Sequence, residues 1–170
     1  PAVPLAAAFA LGRTVLPLPL VLAGIGLSIL PDLDVLGFRL GVPYAAALGH
    51  RGFSHSLAVA LAASLACALF HRRLGAPFPR AWVFLFVCAG SHAMLDAFTD
   101  GGLGVALFWP WSDARQVAPV RPIEASPLGL SRFFSGAGLR VMGSELLWVW
   151  LPLFAAALAW RLARGRRQRG

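Results

Sequence analysis

Residues 71–100 read HRRLGAPFPRAWVFLFVCAGSHAMLDAFTD. The stretch opens on a histidine, three arginines (Arg72, Arg73, Arg80) and turn-forming Gly75 and Pro77. It then runs apolar from Ala81 to Phe98 and ends among His92, Asp96 and Asp100. An apolar run with basic residues at one end predicts a membrane helix whose basic flank is cytoplasmic. Ionisable groups near its other end are costly in a bilayer, roughly 2.5–3.5 kcal/mol for a central aspartate on insertion scales, and normally face a partner or a cavity.

The whole chain fits a membrane setting. Of 170 residues, 58% are hydrophobic and 13% charged, against roughly 25% charged in an ordinary soluble domain. Mean hydropathy is +0.72. Each crossing needs about 20 apolar residues, so residues 1–170 make one membrane-embedded domain with no room for a second. The net charge of +8 comes from 15 arginines with no lysine, and five of them lie in the tail 161–170. That placement suits a cytoplasmic membrane flank and argues against a nucleic-acid partner. Cys67 and Cys88 sit inside apolar runs without a C-x-x-C pair and read as small buried residues. No positive residue precedes Arg13, so the first apolar segment is expected to stay in the mature protein.

Four apolar blocks emerge: Val3–Leu30, Leu57–Phe70, Ala81–Phe98 and Leu146–Ala163. Arg13, Pro17 and Pro19 interrupt the first. Its continuous part, Leu18–Leu30, gives about 20 Å of helix, short of the roughly 30 Å hydrocarbon core. The expected fold is all-α, a polytopic transmembrane bundle of about four to five helices with a broken or re-entrant first segment. The basic turn 71–80 and the basic tail are expected in the cytoplasm, which places residues 31–56 and 99–145 on the extracytoplasmic side of an inner membrane. All seven acidic residues lie in that side or within a turn of it. Within 99–145, Leu128, Leu130, Phe133 and Phe134 suit a short interfacial helix, and a plain surface loop fits equally well.

The candidate chemistry gathers on that side. Asp32 and Asp34 follow Pro31, and in a non-helical turn carboxylates at i and i+2 can point to one cation, although Asp is also a common helix cap. His50 and His55 bracket RGFS just before an apolar helix. His92 and Asp96, four apart, share one helix face. Three histidines and three aspartates exceed one tetrahedral site and suggest two divalent ions, zinc favoured over manganese or iron, with a bridging aspartate. Arg51 can bind an anionic substrate group or a lipid headgroup. Asp100, before Gly101 and Gly102, reads as a turn residue or a support to the ligands. Arg51 and Asp100 are the catalytic candidates beside the metal ligands. Ser54 and Ser56 offer hydroxyls without a G-x-S-x-G motif. Glu145 is expected to cap the start of the last helix. His71 lies among arginines at the opposite end and is excluded. Trp109, Trp111, Trp148 and Trp160 read as interfacial anchors.

The order LPDLD, HRGFSHS, SHAMLDAFTDGG and FWPW resembles the YdjM-type family of membrane-bound, metal-dependent hydrolases. The resemblance covers Leu30–Trp111 well and the closing helix by hydropathy. It implies a helical inner-membrane protein with hydrolase activity, and metal-ligand roles for Asp32, Asp34, His50, His55, His92 and Asp96. The expected partners are membrane lipids and an amphiphilic substrate, most plausibly a lipid phosphoester. A phosphatidic acid phosphatase reading fails for want of lysine and of a P-S-G-H segment, and a zinc protease for want of H-E-x-x-H. The remaining alternative is a non-enzymatic metal-binding or transport protein. The cytoplasmic halves of the later blocks carry almost no polar chain across the bilayer, which disfavours transport.

Overall fold

The computed structural model describes residues 1–126, 134 and 136–167. Helix α1 (Ala2–Leu11) stops at Gly12, whose φ of 77° belongs to the left-handed region that glycine adopts without strain. Pro17 then precedes α2 (Leu18–Ile29), with Pro19 in its first turn, where a missing N–H costs nothing. The first apolar block is therefore broken, as its prolines and arginine predict. α1, of 10 residues, spans about 15 Å and packs against the last helix.

The continuous run after the break is longer than its apolar part suggests. α2 does not end in a turn at Pro31 but tightens into a 3₁₀ helix, Leu30–Leu40, so that 23 residues from Leu18 to Leu40 are helical. Proline at the start of a tighter turn removes a donor that is unpaired there anyway. Eleven residues is long for a 3₁₀ run, a form usually limited to three or four.

α3 (Leu57–Ala68) begins at Ser56, whose Oγ accepts the Val59 N–H at 3.1 Å as a helix cap. The short α4 (His71–Leu74) turns the chain into α5 (Phe78–Ala97). α6 (Gly136–Glu145) continues through a π-helical turn, Leu146–Trp150, into α7 (Leu151–Arg167). Glu145 thus lies inside a helical run and does not open the last helix. The predicted interfacial helix falls largely outside the described residues; Phe134, which is described, is exposed. Leu18–Leu40, Phe78–Ala97 and Gly136–Arg166 are long and apolar enough to cross a membrane, whereas α1 and α3 are shorter.

α5 packs against both α2 and α3. Between α2 and α5 lies a core of Leu16, Leu20, Val21, Ala81, Phe84, Leu85 and Cys88. Leucines and valines on the outer faces, among them Leu22 and Val87, remain exposed and suit contact with lipid. The basic turn meets the start of α2, where Arg80 Nη1 lies 3.5 Å from the Val15 carbonyl oxygen, and Arg161 sits 4.8 Å over the Phe9 ring near the end of α1. The arginine-rich parts therefore share one end of the bundle. The end of α2, the start of α3 and the end of α5 form the other. Residues 99–126 fold back over this second end without regular helix. The Leu57 N–H donates to the Leu107 carbonyl at 3.0 Å, and the Ala106 N–H to that of Arg51 at 3.0 Å.

Gly24 marks the tightest point of the α2–α5 contact, because a Cβ there would lie 2.6 Å from Phe84 Cε1 and 3.0 Å from Cys88 Sγ. Gly24→Ala should lower stability by about 1–3 kcal/mol through overpacking. Gly26→Ala, which meets nothing within 4 Å, should be neutral or mildly stabilising by about 0.4–1 kcal/mol. Thermal unfolding of both variants in one detergent checks the contrast.

Candidate metal centre

The site is built around His55, whose side chain is 0% exposed. HRGFSHS is folded tightly enough to bury it. A Cβ on Gly52 would collide with the Ala47 carbonyl oxygen and one on Gly49 with those of Pro43 and Tyr44, so both positions require glycine. Arg51 adopts φ 62°, a left-handed conformation that costs a non-glycine residue roughly 1–2 kcal/mol. That conformation turns its backbone N–H to Asp34 Oδ2 at 3.1 Å and its side chain towards α5.

Both ring nitrogens of His55 meet carboxylates. On one side, Nδ1 lies 3.1 Å from Asp34 Oδ2. On the other, Nε2 lies 3.3 Å from Asp96 Oδ2, 3.7 Å from Asp32 Oδ1 and 3.2 Å from His92 Nε2. His92 Nε2 is in turn 3.2 Å from Asp32 Oδ1 and 3.8 Å from Asp96 Oδ2. His92 and Asp96 project from one face of α5 one turn apart, as their spacing predicts. Asp32 and Asp34 do not converge on one point: a 3₁₀ helix turns about 120° per residue, which sends the two carboxylates to opposite edges of the His55 ring.

Four ligand atoms, from Asp32, His55, His92 and Asp96, all lie within 4.8 Å of one another. For metal–ligand bonds of about 2.0–2.2 Å, a tetrahedron has edges of roughly 3.3–3.6 Å. The 3.2–3.8 Å separations bracket that range. One further observation favours a cation at their centre. Asp96 Oδ2 is buried and makes no hydrogen bond, although Arg51 Nε and His55 Nε2 each lie 3.3 Å from it. The residues present therefore fit a divalent ion.

Asp34, His50 and His55 make a second group of possible ligands. Here His50 Nδ1 lies only 2.6 Å from Asp34 Oδ1, the length of a charge-assisted hydrogen bond. Asp34 Oδ2 also accepts the Ser54 hydroxyl at 2.5 Å. Tyr44 meets the His50 ring edge-on at 5.5 Å between centroids.

His55 lies outside the membrane-spanning helices. Burial favours its neutral form, but the adjoining carboxylates of Asp32, Asp34 and Asp96 outweigh burial and push its pKa up to about 10.

Arg51 is buried, and its guanidinium is engaged within the protein. Nε lies 3.3 Å from Asp96 Oδ2, and Nη1 donates to Thr99 Oγ1 at 2.7 Å and to the Gly101 carbonyl at 3.1 Å. Asp100 is exposed and outside both ligand groups; its Oδ1 accepts the Ala125 N–H at 2.8 Å, a turn-supporting contact. His71 lies at the basic end, 3.2 Å from the Ala76 carbonyl. Sequence reading missed Arg115, whose two Nη atoms reach the carbonyls of Tyr44, Ala46, His50 and Gly104 at 3.0–3.4 Å. It also missed Thr99. An arginine whose hydrogen bonds go to backbone carbonyls, with the Tyr44 ring 5.6 Å from its guanidinium, leaves no charged partner in the sequence to signal it.

These features define a polytopic α-helical membrane protein with a candidate metal site at the end of its bundle opposite the arginines. The chain matches the family described as YdjM inner membrane protein over residues 2–167. It is also 48% identical over 163 residues to inner membrane protein YbcI of Escherichia coli (strain K12), covering 94% of each chain. No solved structure matches it. The chain belongs to the YdjM inner membrane protein family.

The geometry separates two kinds of substitution. His92→Ala, which removes a ligand, should abolish metal binding. Asp34→Asn, which weakens the partner of His55 Nδ1, should cost about 10–100-fold in affinity. Calorimetric titration of metal-depleted protein with zinc distinguishes the two.

Proposed function

We propose that this chain is a membrane-bound, metal-dependent hydrolase that cleaves an ester, most plausibly a phosphoester, of an amphiphilic substrate. The observation that carries the reading is the four-atom group of Asp32, His55, His92 and Asp96, in which Asp96 Oδ2 is buried and makes no hydrogen bond. One divalent ion, zinc favoured, would be held by these four residues and would supply a water activated at neutral pH together with a Lewis acid for the scissile oxygen. Asp34 accepts the His55 Nδ1–H and leaves Nε2 free to coordinate. His50 and Ser54 orient Asp34. Arg51 is a positioning residue that holds the Asp96 carboxylate through Nε. The Asp32 side chain is 49% exposed, so substrate and water reach the group from that side. The arginine distribution supports an extracytoplasmic position for this end of the bundle.

Purified protein should carry zinc, manganese or iron by elemental analysis and hydrolyse a phosphoester in a screen, with activity lost on chelation and in His55→Ala and Asp96→Ala. Protein with neither bound metal nor a stability change on chelation would sink the reading.

Metal affinity should also depend on pH. Coordination displaces the His55 proton, whose pKa rises from 6.5 to about 10. Affinity should therefore increase by up to about tenfold per pH unit below about pH 10 and level off above it. A flat profile measured by zinc titration contradicts this.

For orientation, Ala45→Cys in intact cells should react with a membrane-impermeant maleimide. Reaction only after the membrane is opened from the cytoplasmic side would reverse the placement.

A further inference from the structure

A cavity of about 360 Å³ opens beside the ligand group, between the 3₁₀ run, α3 and α5. This is within the range of small-ligand pockets. Its polar end is formed by Asp34, Ser54 and His55, and its other end by Leu27, Ala60, Ala63 and Ala89. Ala63 lies seven residues beyond Ser56 on α3, so the cavity runs about 10 Å, two helical turns, from the ligand group towards the middle of the bundle. Leu33 and Leu48 also line it and are 56% and 61% exposed, which leaves its flank open on the lipid side.

We propose that this cavity holds one acyl chain of a membrane-derived substrate, with the chain's polar head at the Asp32–His55–His92–Asp96 group. The proposal rests on the hydrolase reading above and names the substrate class for that site. Three features point to an acyl chain. The cavity has the polarity of a lipid in a leaflet, polar at the end of the bundle and apolar towards its middle. Past Ser56 its walls carry no polar side chain except backbone-paired helix, so nothing there rewards a sugar or a peptide. His55 lines the cavity and belongs to the ligand group, so a cation held by that group would lie beside the polar end and complement an anionic or ester head. Small alanines at the deep end keep open the volume that a chain fills.

The test uses the full chain with bound zinc in nanodiscs of phosphatidylcholine and phosphatidylglycerol, and palmitic acid carrying a mid-chain diazirine as probe. After irradiation, adducts mapped by mass spectrometry should concentrate at Ala60, Ala63 and Ala89. Ala63→Phe should reduce them by about tenfold, the scale on which filled hydrophobic pockets discriminate. The smaller Ala63→Val should reduce them partially, while adducts on the exposed Leu151 and Leu158 stay unchanged. Adducts spread evenly over all exposed leucines, and insensitive to both variants, would show ordinary lipid contact and overturn the proposal. Metal dependence separates the two readings. Cavity labelling that persists in protein shown to bind no metal supports the chain site and overturns the hydrolase reading. Metal-dependent hydrolysis without cavity labelling does the reverse.

Discussion

The arrangement depends on one buried imidazole held between carboxylates from two elements. His55 places Asp34 against one nitrogen and Asp32 and Asp96 against the other. Asp32, Asp34 and Asp96 bring three negative charges to a partly buried space, and among the described residues Arg51 contributes the permanently positive side chain that touches them. Charges taken out of water must be paired or neutralised, since the effective penalty is still several kcal/mol per ion after relaxation. The raised pKa of His55 follows from this imbalance, and a divalent cation held there would offset it more fully than a proton. The same imbalance ties α2, α3 and α5 together at one end, because each donates a group that is stable only in the presence of the others.

The backbone features around His55 follow from that requirement. Asp32 and Asp34 could not reach opposite edges of one ring from an extended turn, where alternate residues point the same way. The 3₁₀ run separates them. The strained φ of Arg51 persists because its N–H and Nη1 are hydrogen-bonded to Asp34 and Thr99 and its guanidinium is ion-paired with Asp96. A lysine at this position could not make that set of contacts, because its single ammonium lacks the planar fork.

Much of the fold was legible because membrane helices announce themselves by composition. The break at Gly12–Pro17 and the basic turn after α3 followed from proline and arginine positions, and His92 and Asp96 followed from helical spacing. Less legible were the features set by tertiary context. Pro31 reads as a terminator, yet the chain tightens rather than turns. Glu145 reads as a cap, yet α6 begins nine residues earlier at Gly136. Counting six ligands from composition also did not show how they divide, with Asp32, His55, His92 and Asp96 in one group and Asp34, His50 and His55 in another. The 2.6 Å contact of Asp34 with His50 is a distance, and no spacing in the sequence encodes it.

The shortness of α3 explains why so much irregular chain is needed at this end. Its 12 residues reach about 18 Å, well short of the bilayer core. His55, just before its first turn, lies level with His92, five residues before the end of α5. The loop carrying His50 to Ser56 therefore sits below the end of α5 rather than above it. Non-helical backbone at such a depth is stable only if its polar groups find partners within the protein. Arg115 provides them for the carbonyls of Tyr44, Ala46 and His50, and residues 105–107 pair with Arg51 and Leu57. The segment 99–126 is thus a substitute for the missing turns of α3. It fills that space with polar contacts on one side, while Leu33 and Leu48 stay exposed on the other.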